Sequence, residues 1–259
     1  MYTIDLRGKH ALVMGVANKE SAAWAIVQAL AGAGARIALN YQVERLASRV
    51  QDLAATLDNP LVAPCDVTHP DEVESLFALV EQEFGSLDIL VHSLAFASRD
   101  EFAKEFVDTS RDGFLQAIEI SAHSLITLSR AALPLMQKAD GGSIMALTYL
   151  GGERVVAGYK LMGPTKATLE ANVRYLAENL GPHNIRVNAI SAGAMRTLSL
   201  AGIPGGRNFL LDLPERTPLK RNITQAEVGD TALYLASSLS SGVTGETIHV
   251  DAGYHIIGL

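Results

Sequence analysis

Apolar runs of six to nine residues recur along the chain, each followed by a longer stretch where apolar positions return every three or four residues. The short runs at 10–15, 36–41, 61–67, 87–95, 143–150, 186–192 and 246–251 are predicted strands. Several are apolar almost throughout, as in Ala11-Leu12-Val13-Met14, which suits strands covered on both faces. The segments near 21–33, 44–57, 70–84, 111–137, 165–180 and 225–238 are amphipathic and predicted helical. Regular alternation of this kind predicts βαβ units, a parallel sheet and right-handed crossovers. The expected fold is α/β and doubly wound, with about seven parallel strands and helices on both faces.

At 259 residues the length alone permits two domains. No linker, composition shift or repeat divides the chain, so one domain over 1–259 is expected. The stretch 195–224 breaks the pattern: Gly202, Pro204, Gly205, Gly206, Pro214 and Pro218 alternate with Ile203, Phe209, Leu210 and Leu211. Glycine and proline disfavour a long regular helix there, while the apolar residues need something to cover. A lid over an apolar ligand fits both requirements.

Composition narrows the function. The net charge of −7 argues against a nucleic-acid binder, which needs a basic footprint. Cys65 is the only cysteine, so no intrachain disulfide can form, and a reducing cytoplasmic setting is expected. The start carries no apolar signal core, and the most apolar long stretch, 22–39, is broken by Gln28, Gly32, Gly34 and Arg36. No membrane span is expected. No His/Cys cluster has metal-ligand spacing, so no metal is expected.

The first strand leads into Gly15-Val16-Ala17-Asn18-Lys19-Glu20-Ser21-Ala22-Ala23 and then a helix. A strand-to-helix turn at this position presents backbone N–H groups and a positive helix end to a pyrophosphate, as in Rossmann folds. Of the usual glycines only Gly15 is present, and Ser21 is equally suited to cap the helix. The second strand ends in Asn40-Tyr41-Gln42, where the neutral Gln42 can bond adenosine without repelling or neutralising a 2′-phosphate. Asp66 and Val67 close the third strand, where the carboxylate can accept from an adenine amino group or cap the turn. His92 at the fourth strand end is expected to be structural rather than an acid or base.

Tyr149, Tyr159 and Lys166 lie just after the fifth strand, outside the carboxyl ends where open parallel sheets bind ligands. Tyr159 and Lys166 are seven apart, ~20° short of two helical turns, so a helix through both puts them on one face roughly 10 Å apart. Pro164 intervenes, so the helix either kinks or starts near Gly163 with the proline in its first turn.

Gly15-x5-Ser21, Tyr149-x9-Tyr159-x6-Lys166, Leu169-Glu170-Ala171-Asn172-Val173-Arg174-Tyr175, Arg186 to Gly193 and Gly245 to Gly253 together resemble the short-chain dehydrogenase/reductase superfamily. Within it the chain is similar, from Lys9 to Gly258, to the NAD(P)H-dependent enoyl-acyl-carrier-protein reductases of bacterial fatty-acid synthesis. Ketone-reducing relatives use Tyr-x-x-x-Lys and an upstream serine. Here Met162 stands four before Lys166 and Tyr149 fills the serine slot, which favours C=C over C=O reduction.

The resemblance implies that Tyr159 bonds the thioester carbonyl, Lys166 holds the nicotinamide ribose and Tyr149 shapes the site. With Lys166 below the ribose, its positive charge is expected to lower the Tyr159 pKa. Gly15, Ser21, Ala22, Gln42, Asp66, Val67 and Leu94 would line adenosine and pyrophosphate. Met195, Arg196, Thr197, Leu198 and Ser199 would meet the nicotinamide and phosphates, and Ala97 and Met162 the acyl group. It implies NADH as cofactor with NADPH not excluded, an acyl-carrier-protein-linked enoyl substrate and a homotetramer. The competing readings are a 3-oxoacyl or ketone reductase and a non-catalytic dinucleotide-sensing scaffold.

Overall fold

The computed structural model describes residues 3–197, 200 and 206–258, except for the side chains of 206–209. Seven strands form one parallel sheet in the order β3-β2-β1-β4-β5-β6-β7. They are β1 (His10–Met14), β2 (Arg36–Tyr41), β3 (Leu61–Pro64), β4 (Ile89–His92), β5 (Gly142–Thr148), β6 (Ile185–Ala192) and β7 (Thr247–Val250). The connection reverses direction between β1 and β4, so a cleft opens beyond their carboxyl ends.

Alternate residues of β1 face opposite cores. Leu12 and Met14 pack with Leu76, Leu125 and Leu169, whereas Ala11 and Val13 pack with Ile26, Leu30 and Val228. Burial on both faces explains the uninterrupted apolar runs. The first group draws on helices α3 (Pro70–Phe84), α6 (Ser124–Lys138) and α7 (Met162–Leu180). The second draws on α1 (Ala22–Gly32), α2 (Ala47–Ala54) and α9 (Gln225–Ala236). The other helices are α4 (Arg99–Ala103), α5 (Arg111–Ile118) and α8 (Gly206–Arg216).

All seven expected strands are present, but five stop short of their predicted carboxyl ends. After β1, β4 and β5 the residues that leave the ladder, Gly15, Ser93 to Ala95 and Tyr149, form the rim of the cleft. Gly15, at φ +91°, is where β1 turns away. The helix expected over 111–137 is interrupted by a π turn at Glu119–His123, and Asn172 Nδ2 donates to the Ala122 carbonyl at 3.0 Å.

Contrary to the expectation for 195–224, α8 is a regular helix with Pro214 inside it. Proline offers no N–H to the carbonyl four residues back. Asn222 Nδ2 donates to that carbonyl, Leu210 O, at 2.9 Å and removes the deficit.

Candidate active site

A cavity of about 610 Å³ occupies the cleft, lined by Gly15, Ser21 and Ala22 after β1, Gln42 after β2 and Leu94 after β4. Tyr149, Tyr159 and Lys166 line it from the β5 side, and Met195 and Thr197 from beyond β6. Residues spread over most of the chain thus meet at the topological switch point.

The pyrophosphate end is built from backbone. A Cβ on Gly15 would stand 2.2 Å from the Ser93 carbonyl oxygen, so only glycine fits, and its positive φ requires the same. Gly15 N donates to Asn40 Oδ1 at 3.0 Å, and Asn40 Nδ2 donates to the Cys65 carbonyl at 3.0 Å. The buried amide therefore ties the ends of β1, β2 and β3 together. Ser21 caps α1, its Oγ accepting from Trp24 N at 3.2 Å and donating to Asn18 O at 2.7 Å. The same position lines the cavity. Gly15→Ala is expected to lower stability by about 1–3 kcal/mol and weaken NADH binding, read by denaturant unfolding and fluorescence titration. Unchanged binding would contradict this cradle.

Gln42 Nε2 donates to Asp66 Oδ2 at 3.0 Å. Asp66 also caps its own turn, Oδ1 accepting from Thr68 N at 3.0 Å and Thr68 Oγ1 at 2.8 Å. Burial opposes ionisation of Asp66, but the bonds from Thr68 and Gln42 outweigh it and hold the carboxyl below its usual value. Asp66 and Val67 are not among the residues that line the cavity, and Val67 packs against the core. Arg196 is exposed, its carbonyl accepting from Gln225 Nε2 at 3.0 Å. Leu198 and Ser199 lie outside the described residues.

The reacting end is built on β5 and α7. Helix α7 begins at Met162, which puts Pro164 in the first turn, where its missing N–H costs nothing. Tyr159 precedes the helix, in a turn with Gly158 at φ +80° and Lys160 at φ +46°. The same-face geometry expected from the seven-residue spacing is therefore corrected. Tyr159 reaches the cavity from a turn, and the spacing reflects that turn rather than two helical repeats.

Gly151 makes the arrangement possible. A Cβ there would stand 2.3 Å from Tyr159 Cδ1. The Tyr149 ring meets Tyr159 edge-on, with centroids 4.9 Å apart at 70°. Met162, Ala117 and Leu161 are buried beside them, and Ala97 and Phe102 pack on this cluster, an apolar wall behind the two rings; neither Met162 nor Ala97 lines the cavity itself.

Lys166 is 4% exposed, and its Nζ donates to the Leu147 carbonyl at 2.7 Å. Burial pulls its pKa down to about 8, with Glu170 opposing. Tyr159 is 8% exposed, and burial, then Tyr149 and Glu170, raise its pKa. The expected lowering by Lys166 is thus corrected: desolvation of the phenolate dominates, and the phenol stays protonated across the neutral range. Tyr149 is raised mainly by burial, with Tyr254 and Asp251 adding to it.

His92 is fully buried against Ser124 Oγ at 2.7 Å, and burial, aided by the Lys166 charge, depresses its pKa to about 3. It is a neutral structural group. No cluster able to hold a metal occurs among the described residues.

Sequence reasoning missed Gly151, Gly152 and the bridging role of Asn40. The Gly-Gly pair after β5 was the available signal, since paired glycines beside two candidate phenols mark close packing. Gly151→Ala is expected to displace the Tyr159 ring and lower kcat by about 10- to 100-fold, leaving NADH affinity intact. Steady-state kinetics alongside an NADH titration check this.

The chain matches the family model described as enoyl-(acyl carrier protein) reductase over residues 15–255. It is 54% identical to the NADH-type enoyl-acyl-carrier-protein reductase FabI of Bacillus cereus, covering 98% of this chain and 99% of the relative. It is 47% identical to the NADPH-type FabI of Staphylococcus aureus, covering 98% and 99% respectively. A crystal structure of the Bacillus cereus reductase with NADP+ and an indole naphthyridinone superposes with a TM-score of 0.96 at 53% identity, covering 100% of both chains. The Anaplasma phagocytophilum reductase in complex with NAD gives 0.94 at 45% identity, over 100% and 98% of the two chains. With the tyrosine pair, the buried lysine and the glycine cradle at one switch point, these likenesses lead to one conclusion. The chain belongs to the enoyl-acyl-carrier-protein reductase family of oxidoreductases.

Proposed function

We propose that this chain reduces trans-2-enoyl thioesters through Tyr159 and Lys166, with NADH as the preferred donor, in the last reductive step of fatty-acid elongation. The observation that carries the reading is a buried phenol, Tyr159, and a buried lysine, Lys166, lining one cavity with the Gly15 cradle. The cavity fits a dinucleotide: its glycine cradle excludes a Cβ, and the backbone there faces the start of α1.

A bound reduced nicotinamide supplies the hydride. Lys166, fixed by the Leu147 carbonyl, donates to the ribose hydroxyls and orients the ring. Tyr159 donates to the thioester oxygen as negative charge develops there. Tyr149, edge-on to Tyr159, limits where that ring can lie. Met162 and Ala97 belong to the apolar wall behind the rings that receive the acyl chain.

Gln42 and the negative Asp66 beside it favour a 2′-hydroxyl over a 2′-phosphate, and no arginine lines the cavity among the described residues. Residues 195–224 act as a lid on a single domain, with Met195 and Thr197 on the cavity side.

We also infer a cytoplasmic homotetramer acting on substrates carried by acyl carrier protein. Phe114, Leu115, Ile126 and Tyr175 are exposed on the outer faces of the neighbouring helices α5, α6 and α7, which suits a subunit interface. No helix among the described residues is long and apolar enough to cross a membrane.

The ketone-reductase alternative is disfavoured because Met162, buried in the first turn of α7, stands where Tyr-x-x-x-Lys needs its phenol. Turnover of matched crotonyl and acetoacetyl thioesters, each with NADH and NADPH, tests the reading. Crotonyl turnover faster with NADH is expected. Oxidation of either nucleotide by acetoacetyl substrate alone would overturn it.

A further inference from the structure

Glu170 is a buried charge that the reaction as described does not use. It is 5% exposed and stands one turn beyond Lys166 on the same face of α7. The two side chains are held by consecutive residues of β5. Lys166 Nζ donates to Leu147 O at 2.7 Å, and Thr148 Oγ1 donates to Glu170 Oε1 at 2.6 Å.

Gly152 supplies the space for the carboxylate. A Cβ there would stand 2.7 Å from Glu170 Oε1. Gly151 and Gly152 thus seat, respectively, the Tyr159 ring and the Glu170 carboxyl. A glutamine would accept the same hydroxyl bond without the cost of burying a charge. An acid buried at this position therefore calls for a charge-dependent role.

The groups facing the pair are few. Glu170 is raised by burial and by Glu153, and lowered by the Thr148 hydroxyl, Arg174 and His249. Glu153 is itself bonded to His249 at 2.7 Å. Against Lys166 stand Glu170 on its own helix and the neutral His92 on β4.

We propose that Glu170 is a positioning residue for the reduction: its carboxylate is the counter-charge that keeps Lys166 an ammonium and hence a ribose donor. The inference rests on the cofactor role of Lys166 set out above. Burial favours the neutral amine, and a carboxylate one helical turn away favours the cation.

The test is the pH dependence of NADH affinity, measured by fluorescence on the whole protein, with thermal melts reporting folding. Wild type should lose affinity as pH rises through about 8, where Lys166 gives up its proton. Glu170→Gln should bind equally at pH ~6 and move that alkaline midpoint down by about one pH unit or more. Glu170→Met, of similar length and uncharged, is the second variant should the carboxamide disturb folding.

Lys166→Arg carries a permanent charge and should show no alkaline loss, and adding Glu170→Gln to it should move nothing. An unmoved midpoint in the folded Gln and Met variants overturns the inference while leaving Lys166 its role. The same shift on the Lys166→Arg background also overturns it, since the effect would then be structural. A wild type without alkaline loss removes both the inference and the reading of Lys166 beneath it.

Discussion

Tyr159→Phe is expected to lower kcat on an enoyl thioester by about 10²- to 10³-fold while leaving NADH affinity unchanged. The phenol donates to an oxygen whose charge grows during hydride transfer, so its loss falls on the transition state rather than on ground-state binding. The ring is enclosed by Gly151, Tyr149 and the Met162 wall, and phenylalanine occupies the same volume without the hydroxyl. Stability should therefore hold. Burial keeps the phenol protonated, so the wild-type rate should show no alkaline loss from Tyr159 in the neutral range. Rapid kinetics with saturating NADH separates the outcomes: an unchanged chemical step would show that Tyr159 is only a wall of the cavity.

Lys166→Met should act differently, weakening NADH binding by about 10- to 100-fold and lowering kcat as well. The ammonium is anchored by the Leu147 carbonyl and faces the cavity, so its removal takes away a charged donor and the orientation it enforces. Methionine fills the channel without leaving a cavity. In the variant, the Leu147 carbonyl also loses its side-chain donor, and a small decrease in stability is expected. An NADH titration showing wild-type affinity would exclude the ribose role.

The sheet was legible because its strands are buried on both faces, which leaves apolar runs such as Ala11–Met14 without a polar break. What the pattern could not show was where each strand ends. Gly15 and Ser93 fall inside the predicted strands, yet they belong to the cavity rim, because the chain turns at Gly15 through a positive φ and a close approach to the Ser93 backbone.

Tyr149, Tyr159 and Lys166 were legible through motif spacing, but the helical explanation of that spacing was wrong. Lys160 at φ +46° creates the turn that carries Tyr159, and no periodicity signals a left-handed lysine. Glu170 stood in the sequence only as one residue of the Leu169–Tyr175 motif, with no role of its own. Its burial depends on Gly152, a residue of another element, and such pairings appear only once the chain is folded.

The most direct measurement is a crystal structure of the ternary complex with NAD+ and an unreactive saturated acyl thioester. The Tyr159 hydroxyl is expected within about 3 Å of the thioester oxygen, and Lys166 Nζ equally close to the ribose hydroxyls. A Tyr159 hydroxyl turned from the ligand, or an ammonium contacting only water, would contradict the account.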